Sequence, residues 1–193
     1  MHIADGILPL PITLAADAAA LGAVYAGSRE LKSEEIPKMG IFTAALFIIS
    51  LIHFPLPGGP SIHLGLYGIA GLIFGKRAFS IIFITLLFQS LIFQHGGLLS
   101  IGINALTMGS GALAGWFAWD FVSLNQKIKA FICGFLGIFI PALMVSLLFF
   151  FLDYGKGMVF FMSVYIPAAL IEGALTATAV AFFYKVEPEI LKR

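Results

Sequence analysis

Residues Ile128–Leu152 read IKAFICGFLGIFIPALMVSLLFFFL, with their one charge, Lys129, near the start. A helix needs about 20 mostly apolar residues to cross the hydrocarbon of a bilayer, so this stretch reads as a membrane-spanning helix. Working outward, similar runs fall at about Ile7–Ala26, Met39–Ile52, Ser61–Gly75, Phe79–Gln94, Ile101–Phe121 and Val159–Tyr184. Helix is interrupted at His53-Phe-Pro-Leu-Pro-Gly-Gly-Pro60 and at His95-Gly-Gly97, where proline removes donors and glycine favours turns. The expected fold is an all-α integral membrane protein of about seven transmembrane helices, forming one transmembrane domain over residues 1–193. The short, glycine-rich runs must be buried in protein or line a cavity, because bare backbone is too costly in lipid.

Composition agrees. Of 193 residues, 60% are hydrophobic and 11% are charged, whereas an ordinary soluble domain is about a quarter charged. The net charge of +1 and the lack of a basic run leave no basis for a nucleic-acid partner. The single cysteine, Cys133, excludes an internal disulfide framework and a cysteine-rich metal site. The first residues have no basic segment and carry Asp5 where a signal peptide would have Lys or Arg. Met1 is therefore expected to remain the N-terminus.

Basic residues favour the cytoplasmic side. With the N-terminus outside and the C-terminus cytoplasmic, Arg29, Lys32, Lys38, Lys76, Arg77, Lys127, Lys129, Lys185, Lys192 and Arg193 lie inside, and Lys156 alone lies outside. The same topology places His2, His53, His63 and His95 together at the outer end.

Met1-His2 has its own chemistry. A free α-amine, the amide nitrogen of residue two and that residue's imidazole can chelate one metal ion in fused small rings. Nitrogen-rich planar sites suit Ni(II) and Cu(II), with Co(II) close in affinity. His63 is the best candidate for the remaining planar ligand, because Pro57-Gly-Gly-Pro-Ser-Ile-His63 can fold the chain back toward the N-terminus. The plainer alternatives are an exposed His2 and a hydrogen-bonded, interfacial His63. His95 fits a helix cap or a group that orients a ligand, and His53 a residue at headgroup depth. Asp5 before Gly6 predicts a turn that bends the N-terminal segment inward. Asp17 and Glu172 are intramembrane carboxylates that need partners; Glu172 reads as a hydrogen-bonded group or as support for a histidine. Ala15, Ala19 and Ala23 form a small-residue stripe of the kind that admits a close helix neighbour.

At these residues the chain resembles the CbiM/NikM family, the substrate-binding components of energy-coupling factor transporters for cobalt and nickel. Met-His-Ile-Ala-Asp-Gly-Ile-Leu-Pro9 resembles its N-terminal signature, and Pro-Gly-Gly-Pro-Ser-Ile-His63 its second ligand motif. Gln89 to Asn104 with Met108-Gly109, and Pro167 to Gly173, resemble its loop and last-helix motifs. The resemblance implies that Met1, His2 and His63 hold Ni2+ or Co2+ as transported substrate. It implies a supporting network from Gln89, His95 and Asn104, and docking of the alanine stripe on a transmembrane coupling subunit. The wording around His63 departs from the family's commonest forms, which leaves the choice of metal open. No Gly-x-x-x-x-Gly-Lys-Ser/Thr occurs, so transport depends on a separate cytoplasmic ATPase pair; a small accessory membrane subunit is a further candidate partner. The expected setting is a prokaryotic cell membrane, with no organic cofactor and no enzyme activity. The rivals are a stand-alone secondary transporter, which predicts internal repeats and paired ionisable groups, and a metal-dependent membrane hydrolase, which needs a carboxylate beside the histidines.

Overall fold

The computed structural model describes residues 2–54, 62–152 and 157–191. Seven α-helices lie among them: α1 (Leu10–Ser28), α2 (Ile36–Leu51), α3 (Tyr67–Phe74), α4 (Ala78–Phe93), α5 (Ile101–Phe121), α6 (Gln126–Phe151) and α7 (Gly157–Val186). A two-stranded ribbon joins α2 to α3, with β1 (His53–Phe54) antiparallel to β2 (Ile62–His63). The Pro57–Pro60 turn expected there lies outside the described residues.

The helices are not equal spans. Among the described residues, four stretches are long and apolar enough to cross a membrane: Leu10–Ser28, Tyr67–Phe93, Gln126–Phe151 and Phe161–Val186. The second is not one straight rod. It begins just after His63 and ends just before His95, and those two rings lie 6.4 Å apart. The chain therefore enters the bundle on α3, reverses at Gly75 (φ 58°) through a short 3-10 turn, and returns on α4. At a rise of about 1.5 Å per residue, α3 spans only ~12 Å. It survives because it is enclosed: every residue from Tyr67 to Ile73 is buried. Glycines permit the enclosure. A Cβ on Gly71 would overlap the Ala112 carbonyl of α5, and one on Gly68 the Cys133 carbonyl of α6, so the three backbones meet where side chains would otherwise separate them.

The third helix begins later than the sequence predicts, at Tyr67 rather than near Ser61. Ile62–His63 is held in the ribbon, and Leu66 adopts a left-handed φ of 47° before helix starts. Apolar composition alone carries no sign of either constraint.

The two ends of the bundle differ. One gathers the start of α1, the ribbon, the α4–α5 connection and the start of α3. The other holds the end of α1 against the start of α4, with Ser28 and Ser80 hydroxyls 2.7 Å apart, and Lys76 against Glu30. Lys38 donates to the Ile190 carbonyl at 3.0 Å, which brings the last described residues to this second end, opposite His2. Asp17 is hydrogen-bonded within the bundle: its Oδ1 accepts from the Gly102 amide at 2.7 Å, in the first turn of α5. The carboxylate thus meets the positive end of a helix. On α1, Ala15 and Ala19 are exposed and Ala23 is half-buried.

Candidate functional site

Residues 2–6 enter the imidazole end of the bundle as an extended segment, and α5 receives it. Asn104 works as a surrogate strand. Its Oδ1 accepts from the Ile3 amide at 2.8 Å, and its Nδ2 donates to the Ile3 carbonyl at 2.9 Å. The Ser100 hydroxyl donates to the Ala4 carbonyl at 3.2 Å, and the Ser100 amide donates to Asp5 Oδ1 at 2.8 Å. Ile3 is 1% exposed and packs with Leu8 and Val145. The turn at Asp5-Gly6 has the positive φ of 83° that glycine favours. Gly97 gives the segment its room, since a Cβ there would overlap the Asp5 carboxylate.

This brings His2 into a cluster with all the other histidines. Its ring centroid is 4.2 Å from that of His95 and 5.0 Å from that of His63, while His53 lies 6.0 Å from His95. His53 and His63 face each other across the ribbon, so His53, expected at the same end but at headgroup depth, belongs to the cluster. Its Nδ1 donates to the Leu51 carbonyl at 2.9 Å.

A relay of hydrogen bonds fixes the His2 tautomer. Ser50 on α2 donates its hydroxyl to the Leu46 carbonyl, so its oxygen is left to accept from Gln89 Nε2. That orients the Gln89 amide with Oε1 toward His2 Nε2, 3.2 Å away. An amide oxygen only accepts, so Nε2 carries the proton and Nδ1 carries the lone pair. His2 Nδ1 is buried and has no hydrogen-bond partner among the described residues. Burial, and next the His63 imidazole, hold the His2 pKa well below 6.5. Burial likewise lowers those of His63 and His95. Burial thus favours the neutral form of His2, His63 and His95.

His63 is 4% exposed, with Nδ1 lying 3.5 Å from the Leu64 carbonyl oxygen. Just beyond it, Glu172 Oε1 on α7 accepts from the Gly65 amide at 2.6 Å and the Leu66 amide at 3.2 Å. The sequence therefore located His2, His63, His95, Gln89, Asn104 and Asp5 at one place. Met1 lies outside the described residues. Ser50 and Ser100 carried no sequence signal, because single serines in apolar helices are common. Among the described residues, no group of three His, Cys, Asp or Glu is placed to hold one metal ion. Ala15, Ala19 and Ala23 are apart from this cluster, on α1.

A bundle of apolar helices whose first described residues thread among four clustered imidazoles is a multi-pass membrane protein with a polar pocket at one end. The chain belongs to the family described as the cobalt uptake substrate-specific transmembrane region, which it matches over residues 2–190. It is 30% identical to a Haemophilus influenzae chain provisionally named a metal transport protein, covering 100% of this chain and 98% of that one. It is 26% identical to an Archaeoglobus fulgidus chain provisionally named a fused nickel transport protein, covering 100% of this chain and 68% of that one. Its fold is similar to the crystal structure of a transition metal transporter, with a TM-score of 0.83 at 22% identity, over 97% of this chain and 94% of that one.

Proposed function

We propose that this chain is the substrate-capture component of a nickel or cobalt importer, binding one divalent ion through the Met1 amine, the His2 amide nitrogen, His2 Nδ1 and His63. The observation that carries this reading is the His2 imidazole, with Nε2 committed to Gln89 and Nδ1 buried without a partner. Within residue two, the amide nitrogen and Nδ1 close a six-membered ring on a metal, while amine and amide close a five-membered one; Nε2 cannot reach. The nitrogen left unpaired is the one that chelation requires. His63 supplies the fourth planar position from 5.0 Å away, ring centre to ring centre. His95, Gln89, Asn104 and Asp5 support the segment rather than bind the ion. Such a nitrogen set favours Ni2+ and Co2+ over Mg2+ or Ca2+, and the family and its named relatives point to the same cargo.

The chain acts, in this reading, as a single transmembrane domain with its N-terminus outside and its C-terminus cytoplasmic, working in an energy-coupling factor transporter. A cytoplasmic ATPase pair drives it, and the stripe of exposed Ala15 and Ala19 and half-buried Ala23 docks a transmembrane coupling subunit, with a small accessory membrane subunit as a further partner. The ligand set requires Met1 to carry the free amine. Metal content should therefore be compared between the native chain and one with a single residue added before Met1, with N-terminal sequencing of both. Every side chain is kept, but the amine moves. Loss of bound Ni2+ and Co2+ in the extended chain is expected; equal stoichiometry and affinity would falsify the amino-terminal site.

A further inference from the structure

The first amides of a helix have no partner within it, and α3 has no side-chain cap of its own. Its cap comes from the far end of the sequence. Glu172 is 2% exposed; its Oε1 accepts from both the Gly65 and Leu66 amides, and its Oε2 also lies 3.2 Å from the Leu66 nitrogen. Only Leu64 separates His63 from this clamp. The ribbon that carries His63 is two residues long on each strand, and residues 64–66 belong to no helix or strand. Packing does not hold the segment on this side either. A cavity of about 260 Å³, open at the bundle surface where Ile171 is 56% exposed, lies beside it and is lined by Ile62, His63, Leu64, Pro167, Ile171 and Glu172. Side-chain packing is thus incomplete on this side, and the Glu172 hydrogen bonds to the Gly65 and Leu66 amides fix where the segment sits.

We infer that Glu172 is a positioning residue for His63, holding the Gly65 and Leu66 amides so that the imidazole reaches the metal. The inference rests on the reading of His63 as a ligand. It makes the attitude of α7 a determinant of whether the fourth nitrogen is in place, because the clamp is the point where that helix grips the segment. Without the carboxylate, the segment relaxes into the cavity and the ion keeps only the nitrogens of residues 1 and 2.

The test uses the full-length protein in detergent and Ni(II) as probe. Equilibrium affinity, dissociation rate and the visible d–d absorption of bound Ni(II) are measured for the native chain, Glu172→Ala, Glu172→Gln, His63→Ala and the Glu172→Ala/His63→Ala double variant. Loss of a group that orients a metal ligand typically lowers affinity about 10–100-fold. Glu172→Ala is expected to do so through faster dissociation, with a spectrum shifted toward that of His63→Ala. Glu172→Gln keeps one acceptor but turns an NH2 toward the Leu66 amide, so it should fall between. In the His63→Ala background, removing Glu172 should change Ni(II) binding no further. An equal loss in that background, or a lowered Tm with affinity and spectrum intact, overturns the inference and leaves Glu172 a structural cap. Should Glu172→Ala fail to fold, Glu172→Gln carries the comparison alone, and native affinity and spectrum in that variant overturn it. If His63→Ala binds Ni(II) like the native chain, the proposed ligand set itself fails; native behaviour in Glu172→Gln beside a weakened His63→Ala sinks only the present inference.

Discussion

The two ends of the bundle handle polarity in opposite ways. At one, full charges meet in or near water: Lys76 donates to Glu30 at 2.7 Å, with both side chains substantially exposed, and Arg77 pairs with Glu35. Screening and side-chain entropy keep such pairs weak, so their geometry need not be strict. At the imidazole end, side chains bond to backbone groups and to one another, with Gln89 at 0% and Asn104 at 2% exposure. Buried polar groups must be matched one to one or they destabilise the fold. Each contact there fixes an atom's place: Asn104 that of Ile3, Ser100 that of Asp5, Gln89 that of His2. Lys38, Lys76 and Arg77 make their contacts at the other end. Loose charge is tolerated where water screens it; one-to-one hydrogen bonding is needed where water is excluded.

Asn104→Ala should break the contrast most severely. It removes both bonds to Ile3 and leaves two buried backbone groups unmatched, at about 1–3 kcal/mol each. The N-terminal segment should leave the pocket, and Ni(II) or Co(II) affinity, measured by equilibrium dialysis, should fall by at least ~30-fold. Retained affinity would mean that the segment is held by other contacts. A smaller effect is expected from pH. Because His2, His63 and His95 have folded-state pKa values below 6.5, the unfolded chain takes up protons first as pH falls. Their contribution to stability is complete above 6.5 and is lost progressively below it. The Tm of metal-free protein should therefore decline on acidification below 6.5, and a flat profile would show that the imidazoles are not buried in the neutral form. The smallest effect belongs to the charged end. Glu30→Gln, which breaks an exposed pair, should leave both Tm and metal affinity at native values; a change in metal affinity would show that the two ends are coupled.

The sequence made the helices readable because apolar length and Pro/Gly punctuation are local signals. The expected start and end of the fifth helix, Ile101–Phe121, are those of α5. What failed was not local in origin. The start of α3 depends on strand pairing with His53 and on a carboxylate from α7, neither of which appears in residues 61–67. The site was legible where motifs carry it, at His2, His63, Gln89, His95 and Asn104. It was illegible where it depends on partners distant in sequence: Ser50 is ordinary until Gln89 meets it, Asp17 needed a partner whose identity, the Gly102 amide, no local pattern gave, and Glu172 finds its partner 107 positions away.

That last separation bears on biosynthesis. A ribosome delivers residues 2–5 first, yet their partners at Ser100 and Asn104 come about a hundred residues later, and the clamp on the segment after His63 comes with α7. Contacts so distant along the chain form late. The opening residues must wait, unplaced, while most of the bundle is made around the position they will occupy. On the proposed ligand set, a newly made chain would complete its grip on cargo only near the end of its own synthesis, and a truncated product lacking α7 would hold the ion more weakly.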